Sequence, residues 1–275
     1  MPAGTLYVVS TPIGNLEDMT FRAVRVLKEA ALIACEDTRE SRKLLEHYGI
    51  ETRAVSYHEH NEAARAAELV ERILEGDSVA LISDAGTPLL SDPGYRIVHL
   101  AVERGVTVVP VPGASALLSA LAASGLPTDS FRFGGFLPAR SAQRRKALEQ
   151  AVGETATVIF YETPHRIMEA LEDVAGVLGA RPVVVAREVT KLHEEFLRGT
   201  AEEIRTELAK RPAVKGELTL LIGKGGETAP PETSLEEHVE QLMATGMARM
   251  DAIKEAARAR GLSKREAYAR LESAK

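Results

Sequence analysis

Short runs of β-branched and other apolar residues recur along this chain with amphipathic helical stretches between them, and that alternation restricts it to an α/β fold on mostly parallel sheet. In the first half, Thr5 to Ser10, Leu32 to Cys35, Ala54 to Tyr57, Val79 to Ile82 and Val106 to Val111 read as five strands, separated by helices such as Arg22 to Glu29 and Glu62 to Glu75. A second series has strands near Phe131 to Phe136, Val158 to Tyr161, Val183 to Ala186, Glu194 to Arg198 and Glu217 to Ile222, with helices near Gln143 to Val152, Arg166 to Leu178 and Ala201 to Lys210. Some of these later strands are joined by connections too short for a parallel crossover, so antiparallel pairs are expected among them. Gly223 to Pro231 breaks all periodicity and reads as a linker into a purely helical piece from Leu235 onward. The expected division is an N-terminal α/β domain over 1–112, a second α/β domain over 113–224, a linker over 225–233 and a small helical C-terminal appendage over 234–275.

A chain of 275 residues with 45% hydrophobic content can fill two cores, which excludes a disordered polymer, a fibre or a disulfide miniprotein. Cys35 is the single cysteine, so no intramolecular disulfide can form, and a zinc site with about four ligands would have to be almost all histidine. No metal is expected, and a reducing, cytoplasmic setting fits best. There is no basic leader before an apolar stretch and no uninterrupted apolar run of roughly 18 residues, so a soluble protein with no membrane partner is expected. The net charge of -6 and the absence of Trp deny the chain a global attraction to nucleic acid and weaken any base-stacking platform. Arg249 to Lys275 departs from this balance, with eight basic and four acidic residues. Two helices there, about Asp251 to Arg260 and Ser263 to Ala274, meet at Gly261-Leu262 in a helix-turn-helix-like unit suited to RNA phosphates; a packing or dimer-stabilising appendage is the alternative.

Chemistry is expected in the Gly/Pro-rich loops that end the early strands, because open α/β sheets bind ligands at the carboxyl ends of their strands. Thr11-Pro12-Ile13-Gly14-Asn15 follows the first strand, Ser83-Asp84-Ala85-Gly86-Thr87-Pro88 the fourth, and Pro112-Gly113-Ala114-Ser115-Ala116 the fifth. Any one of these can be a simple tight turn, whereas three together indicate a cleft lined by accessible backbone. No G-x-G-x-x-G follows a strand, and Gly223-Lys224 lacks the spacing and the Ser/Thr of a P-loop. Conventional dinucleotide and P-loop sites are therefore disfavoured.

Several segments carry a family resemblance: LYVVSTPIGN from Leu6, EDTR from Glu36, SYHEHNE from Ser56 and LISDAGTPLLSDPG from Leu81. It continues with VPGAS from Val111, GFLP from Gly135, FYETPHR from Phe160, REVTKLHEE from Arg187 and KGEL from Lys215. Together they resemble the bacterial 16S ribosomal RNA cytidine 2′-O-methyltransferases of the tetrapyrrole-methylase superfamily, with SDAGTP and VPGAS similar to the whole superfamily and EDTR, SYHEHNE and REVTK similar to its RNA-modifying branch. The resemblance implies a homodimer of two-domain, non-Rossmann subunits that binds S-adenosylmethionine between the domains. It further implies ribose 2′-O-methylation of 16S RNA in the small ribosomal subunit, at cytidine 1402.

By the same resemblance, cofactor contacts are expected from Ser83, Asp84, Ala85 and Gly86, from Ser115 and Ala116, and from Glu162 and Thr163. The sulfonium is already activated, so the protein must chiefly hold the methyl in line with the attacking oxygen at roughly 3 to 3.5 Å. A ribose hydroxyl is a poor nucleophile until it loses its proton, and Glu36, Asp37, Arg39, Glu188 and Lys191 are candidates to assist that loss. Lys191 leads if burial and a neighbouring cation lower its pKa, while Arg39, His165 and Arg166 are placed to hold RNA phosphates. Ordinary helix capping by Asp37, pairing of Arg39 with Asp37 or Glu40, and a solvated Lys191 are the structural alternatives. His58 and His60 resemble a metal pair but lack an evident third ligand, which favours polar packing. Two other functions remain open: methylation of a tetrapyrrole or other small acceptor, and a non-catalytic RNA-binding assembly factor.

Overall fold

The computed structural model describes residues 3–225, 233–258, 260, 262 and 264–273. Its first sheet is formed by β1 (Thr5–Val9), β2 (Leu32–Cys35), β3 (Ala54–Ser56), β4 (Val79–Leu81) and β5 (Thr107–Val111), in the order β3-β2-β4-β1-β5. Every pairing is parallel, so the carboxyl ends of all five strands share one edge. The helices are α1 (Phe21–Glu29), α2 (Thr38–His47), α3 (Glu62–Leu74) and α4 (Tyr95–Glu103). Side chains alternate across the sheet. Leu32, Ala34, Val79 and Leu81 pack toward Leu69, Ile73, Ile97 and Ala101 of α3 and α4. Ile33, Cys35, Ala80 and Ile82 pack on the other face toward Ala23, Leu27 and Leu45 of α1 and α2. Burial on both faces explains why these strands are continuous apolar runs in the sequence.

The second sheet holds β6 (Phe131–Phe136), β7 (Thr157–Glu162), β8 (Pro182–Arg187), β9 (Glu195–Thr200) and β10 (Leu218–Ile222), in the order β6-β7-β10-β8-β9. It is mixed: β6 and β7 are parallel, and the other three pairings are antiparallel, the β8–β9 pair as its short connection requires and the two pairs of β10 by long-range return of the chain. One face is covered by α6 (Ser141–Glu149), α7 (Ile167–Leu178) and α8 (Ala201–Ala209), through Leu148, Leu171, Val174 and Ile204. The other face receives α5 (Ala116–Ser124), through Leu117, Ala120 and Leu121, together with Ile13 from the loop after β1. A residue of the first βα loop is thus part of the second sheet's core.

The C-terminal piece contains α9 (Leu235–Ala244), α10 (Arg249–Arg258) and α11 (Lys264–Ser273). They share a small core of Leu235, Val239, Ile253, Ala256 and Ala267, so the unit is a three-helix cluster and not an isolated helical pair. A capping box at Ser234 and Glu237 fixes its start. Arg260 donates to the carbonyls of Thr233 and Ser234 at 2.7 and 2.9 Å and lies 2.7 Å from Nδ1 of His238, which makes it a clasp inside the cluster. Most of the expected linker, and Gly261 and Ser263 at the expected turn, lie outside the described residues. Among the described residues no helix is long and apolar enough to cross a membrane.

Candidate active site

The three small-residue loops converge at the carboxyl edge of the first sheet. Thr11 and Gly86 exchange backbone hydrogen bonds of 2.9 and 3.1 Å, and the Thr11 hydroxyl donates to the Ser83 carbonyl at 3.1 Å. Ser10 and Thr87 share a hydroxyl bond of 3.0 Å, and Thr87 reaches the Ala114 carbonyl at 3.4 Å. Facing them from the second sheet are the end of β7 at Glu162 and Thr163, Val189 in the β8–β9 connection, and Gly216 to Thr219 leading into β10. Between the two sets lies a cavity of about 420 Å³.

Its walls combine apolar surface from Ile13, Leu90, Tyr161 and Leu218 with four carboxylates, Asp84, Asp92, Glu162 and Glu217. The Ser115 hydroxyl is buried in this wall and has no hydrogen-bond partner among the described residues. A buried hydroxyl without a partner is costly unless a ligand completes it. Apolar walls, exposed backbone and the carboxylates of Asp84 and Glu162 suit a flat heteroaromatic nucleoside bearing a cationic sulfonium and ammonium, so the residues present fit S-adenosylmethionine.

Of the eight residues expected to touch the cofactor, Asp84, Ala85, Gly86, Ser115, Ala116, Glu162 and Thr163 line the cavity. Ser83 stands behind the wall, its hydroxyl donating to the Gly86 carbonyl at 3.2 Å and shaping the turn. Glu162 accepts from the Thr163 N–H at 2.8 Å and from Arg166 at 3.1 Å; burial pushes its carboxyl up, and these bonds oppose the shift. Arg166 also donates to the Leu137 carbonyl, so its guanidinium is engaged inside the protein instead of being presented to a phosphate. His165 beside it is exposed.

The residues considered for the acceptor divide into two groups. Asp37 caps α2 by accepting the Arg39 N–H at 2.8 Å, and the Arg39 guanidinium returns to the same carboxylate at 2.6 Å. That bond holds the Asp37 carboxyl well below the usual carboxylate range, while the Arg39 side chain is largely exposed. The Asp37 N–H in turn donates to Asp84 at 3.1 Å, tying this group to the cavity. Glu36 is pushed up by burial and by the charge of Asp84.

In the second group, Lys191 donates from Nζ to Glu217 at 2.7 Å and to Glu188 at 3.0 Å. Burial alone lowers an amine, but the two carboxylates outweigh it and hold Lys191 above the ordinary lysine value. A base role for Lys191 required the opposite shift, so that expectation is corrected: its Nζ is an ammonium between two acids. Glu188 also accepts the Glu217 N–H at 3.0 Å, which keeps its carboxyl low. Glu188 and Thr190 have φ of 53° and 69°, and Leu89 and Ser91 across the cavity have 73° and 69°. Such backbone persists only where the surroundings enforce it, and it gathers at functional sites. His58 and His60 sit edge to face with ring centres 6.0 Å apart, and among the described residues no three metal-type side chains converge.

Two carboxylates of the cavity lie outside the residues expected from the sequence, Asp92 and Glu217. Asp92 lies in the same long loop as Asp84, eight positions on, and a second carboxylate bracketed by Ser91 and Pro93 was the available signal. Glu217 has no local signal, because its partner Lys191 is distant in sequence.

Comparison with known proteins agrees with this architecture. Residues 5–205 match the family model described as Tetrapyrrole (Corrin/Porphyrin) Methylases. A protein of Halalkalibacterium halodurans named ribosomal RNA small subunit methyltransferase I is 51% identical over 271 residues, covering 96% of this chain and 93% of the relative. One of Bacillus subtilis with the same name is 45% identical over 272 residues, covering 96% and 93%. Among solved structures, the uroporphyrin-III C-methyltransferase of Thermus thermophilus complexed with S-adenosyl homocysteine aligns with TM-score 0.54 at 20% identity, covering 79% of this chain and 97% of that one. With a family match over residues 5–205 and relatives of this identity over nearly the whole chain, the protein belongs to the tetrapyrrole (corrin/porphyrin) methylase family and is a methyltransferase.

Proposed function

We propose that this protein transfers a methyl group from S-adenosylmethionine to a ribose 2′-oxygen of 16S ribosomal RNA in the small subunit, with cytidine 1402 as the target. The observation that carries this reading is the 51% identity, over 96% of the chain, to a relative named for small-subunit ribosomal RNA methylation. The domain division is the one the sequence suggests, 1–112 and 113–224 enclosing the site and 234–275 as the appendage. Bound between them, the cofactor supplies a methyl group on an electrophilic sulfonium. Asp84, Ala85, Gly86, Ser115, Ala116, Glu162 and Thr163 hold it, with Ser83 and Arg166 shaping the wall behind them. Lys191 and Glu188 brace the β8–β9 connection, and Asp37 fixes the turn that carries Arg39. Arg39 and His165, both exposed, are available to RNA phosphate, as is the basic C-terminal cluster.

An assembled small subunit is the expected substrate, because an acidic protein with only 4% aromatic residues has little means of splaying an RNA by itself. The reading includes a cytoplasmic setting and a homodimer, in which one protomer's C-terminal helices reach phosphates near its partner's cleft. The test supplies labelled S-adenosylmethionine with purified small subunits, naked 16S RNA or a tetrapyrrole, and locates the methyl by mass spectrometry of nuclease digests. A single ribose-methylated cytidine formed on subunits is expected. A base-linked methyl rejects 2′-O chemistry, label on the tetrapyrrole alone supports the small-acceptor alternative, and no label on any acceptor supports an assembly factor.

A further inference from the structure

Four carboxylates line the cavity, and three of them are held by a backbone N–H or a cation. Asp84 accepts the Asp37 N–H, Glu162 accepts the Thr163 N–H and Arg166, and Glu217 is bonded to Lys191. Asp92 has no ion pair and no backbone N–H donor among the described residues. It is half-buried and lies on the wall, two residues from Leu90, which with Phe136 forms apolar cavity surface that is 40% and 50% exposed and so marks the mouth. The turn around it has positive φ at Leu89 and at Ser91, its immediate neighbour, so its position is enforced by the backbone.

We infer that Asp92 is the general base of the methyl transfer, taking the proton from the ribose 2′-hydroxyl as the oxygen attacks the methyl carbon. This rests on the function proposed above. The bond formed is O–CH3 and the bond broken is the methyl carbon to sulfur. Its electron pair stays on sulfur, giving the neutral thioether S-adenosylhomocysteine, and the proton passes from Asp92 to water as product leaves. No further reactant is needed.

The surroundings suit such a role. Burial raises the Asp92 carboxyl, the charges of Glu36 at the end of β2 and Asp84 in its own loop add to the rise, and a hydrogen bond with Ser83 opposes it, leaving it at about 6. Tyr161 on β7 faces it, and His58 lies beside Glu36. A base with this value is mostly ionised at neutral pH yet basic enough to share a proton in the transition state. Burial also raises the neighbouring wall carboxylates Asp84 and Glu162, but Asp84 is committed to the Asp37 N–H and Glu162 to the Thr163 N–H and Arg166, while outside the wall Lys191 is held as an ammonium and Asp37 is held low by Arg39.

Asp92→Asn keeps the shape and removes the base. With the full chain and small subunits, kcat should fall about 10²- to 10⁴-fold, the usual range for losing a general base. S-adenosylmethionine affinity by calorimetry should stay within threefold, and Asp92→Glu should recover part of the rate. Wild-type kcat should decline below about pH 6, as the group gains its proton. Independently of turnover, carbon-13 spectra of aspartate-labelled protein bound to S-adenosylhomocysteine should show one carboxyl titrating near that pH, missing from the Asp92→Asn spectrum. A loss of less than tenfold in kcat, a tenfold weaker cofactor affinity that accounts for the lost rate, or a kcat independent of pH between 5 and 8 overturns the assignment. A wild-type protein that methylates no RNA overturns the proposed function instead, and the two failures are told apart by that control.

Discussion

Gly14, in the loop after β1, lies against the stem of Lys191 in the β8–β9 connection. It has φ of 139°, and a Cβ built there would lie 2.4 Å from both Cγ and Cε of Lys191 and 2.8 Å from Cδ. These are atoms of the lysine stem, whose far end is tied to Glu188 and Glu217, so the side chain cannot swing aside while keeping both bonds. Gly14→Ala therefore carries two costs. The first is backbone strain of about 1–3 kcal/mol for an L-residue in this region. The second is loss of the Lys191 clasp, worth about 1 kcal/mol because Glu217 is largely exposed and screened. Urea unfolding should show Gly14→Ala destabilised by about 2–4 kcal/mol, the sum of the two. In a Lys191→Ala background the steric part is already gone, so the same substitution should cost about 1 kcal/mol less. Equal costs in the two backgrounds, or a cost below about 0.5 kcal/mol in the wild type, would refute the close packing of Lys191 on this glycine.

The contrast between Gly14 and the strands shows what local sequence can carry. The buried strands announce themselves because burial on both faces leaves an apolar run within a handful of neighbouring residues, and β9 because it returns directly after β8. The loops after β1, β4 and β5 were recognisable for the same reason, since a turn rich in Gly, Pro and Ser is a local event. Helix α4 was not singled out, because its N-terminus is set by the long turn through Leu89 and Ser91 and not by a capping side chain. The protonation of Lys191 is not legible locally: of the two acids that raise it, Glu188 is a sequence neighbour but Glu217 is brought in immediately before β10. Asp92 carries little local mark, because what distinguishes it is a place in the cavity wall without an ion pair or a backbone N–H donor, a property of the folded surroundings. Arg144 is the extreme case. On α6 it reads as one more surface cation, yet its side chain is 1% exposed.

Three further outcomes are expected. Gly86→Val places a branched side chain at φ of 84° beside Ile13, where even a Cβ meets Cγ2 at 3.2 Å, and should weaken S-adenosylmethionine more than about tenfold by calorimetry; unchanged affinity in a folded variant would remove Gly86 from the site. Deleting Leu235 to Lys275 should weaken small-subunit binding while leaving the methyl-transfer rate at saturating subunits unchanged, and equal affinity at matched salt would reject RNA contact by the appendage. The third concerns Arg144, which donates from Nε to Asp173 at 2.7 Å and from Nη1 to the Ala139 carbonyl at 3.2 Å. Asp173, on α7, is itself only 7% exposed and also accepts the Ser141 hydroxyl at 3.0 Å. Arg144→Met fills a similar volume but leaves that carboxylate with a hydroxyl and a longer 3.4 Å contact to the half-exposed Arg145. Removing one partner of a buried pair costs about 3–5 kcal/mol, whereas replacing both by apolar groups is often neutral. Chemical denaturation should therefore find Arg144→Met strongly destabilised and Arg144→Met/Asp173→Leu nearer the wild type. If the double variant is the less stable of the two, the pair is a net source of stability, and the desolvation argument fails for this site.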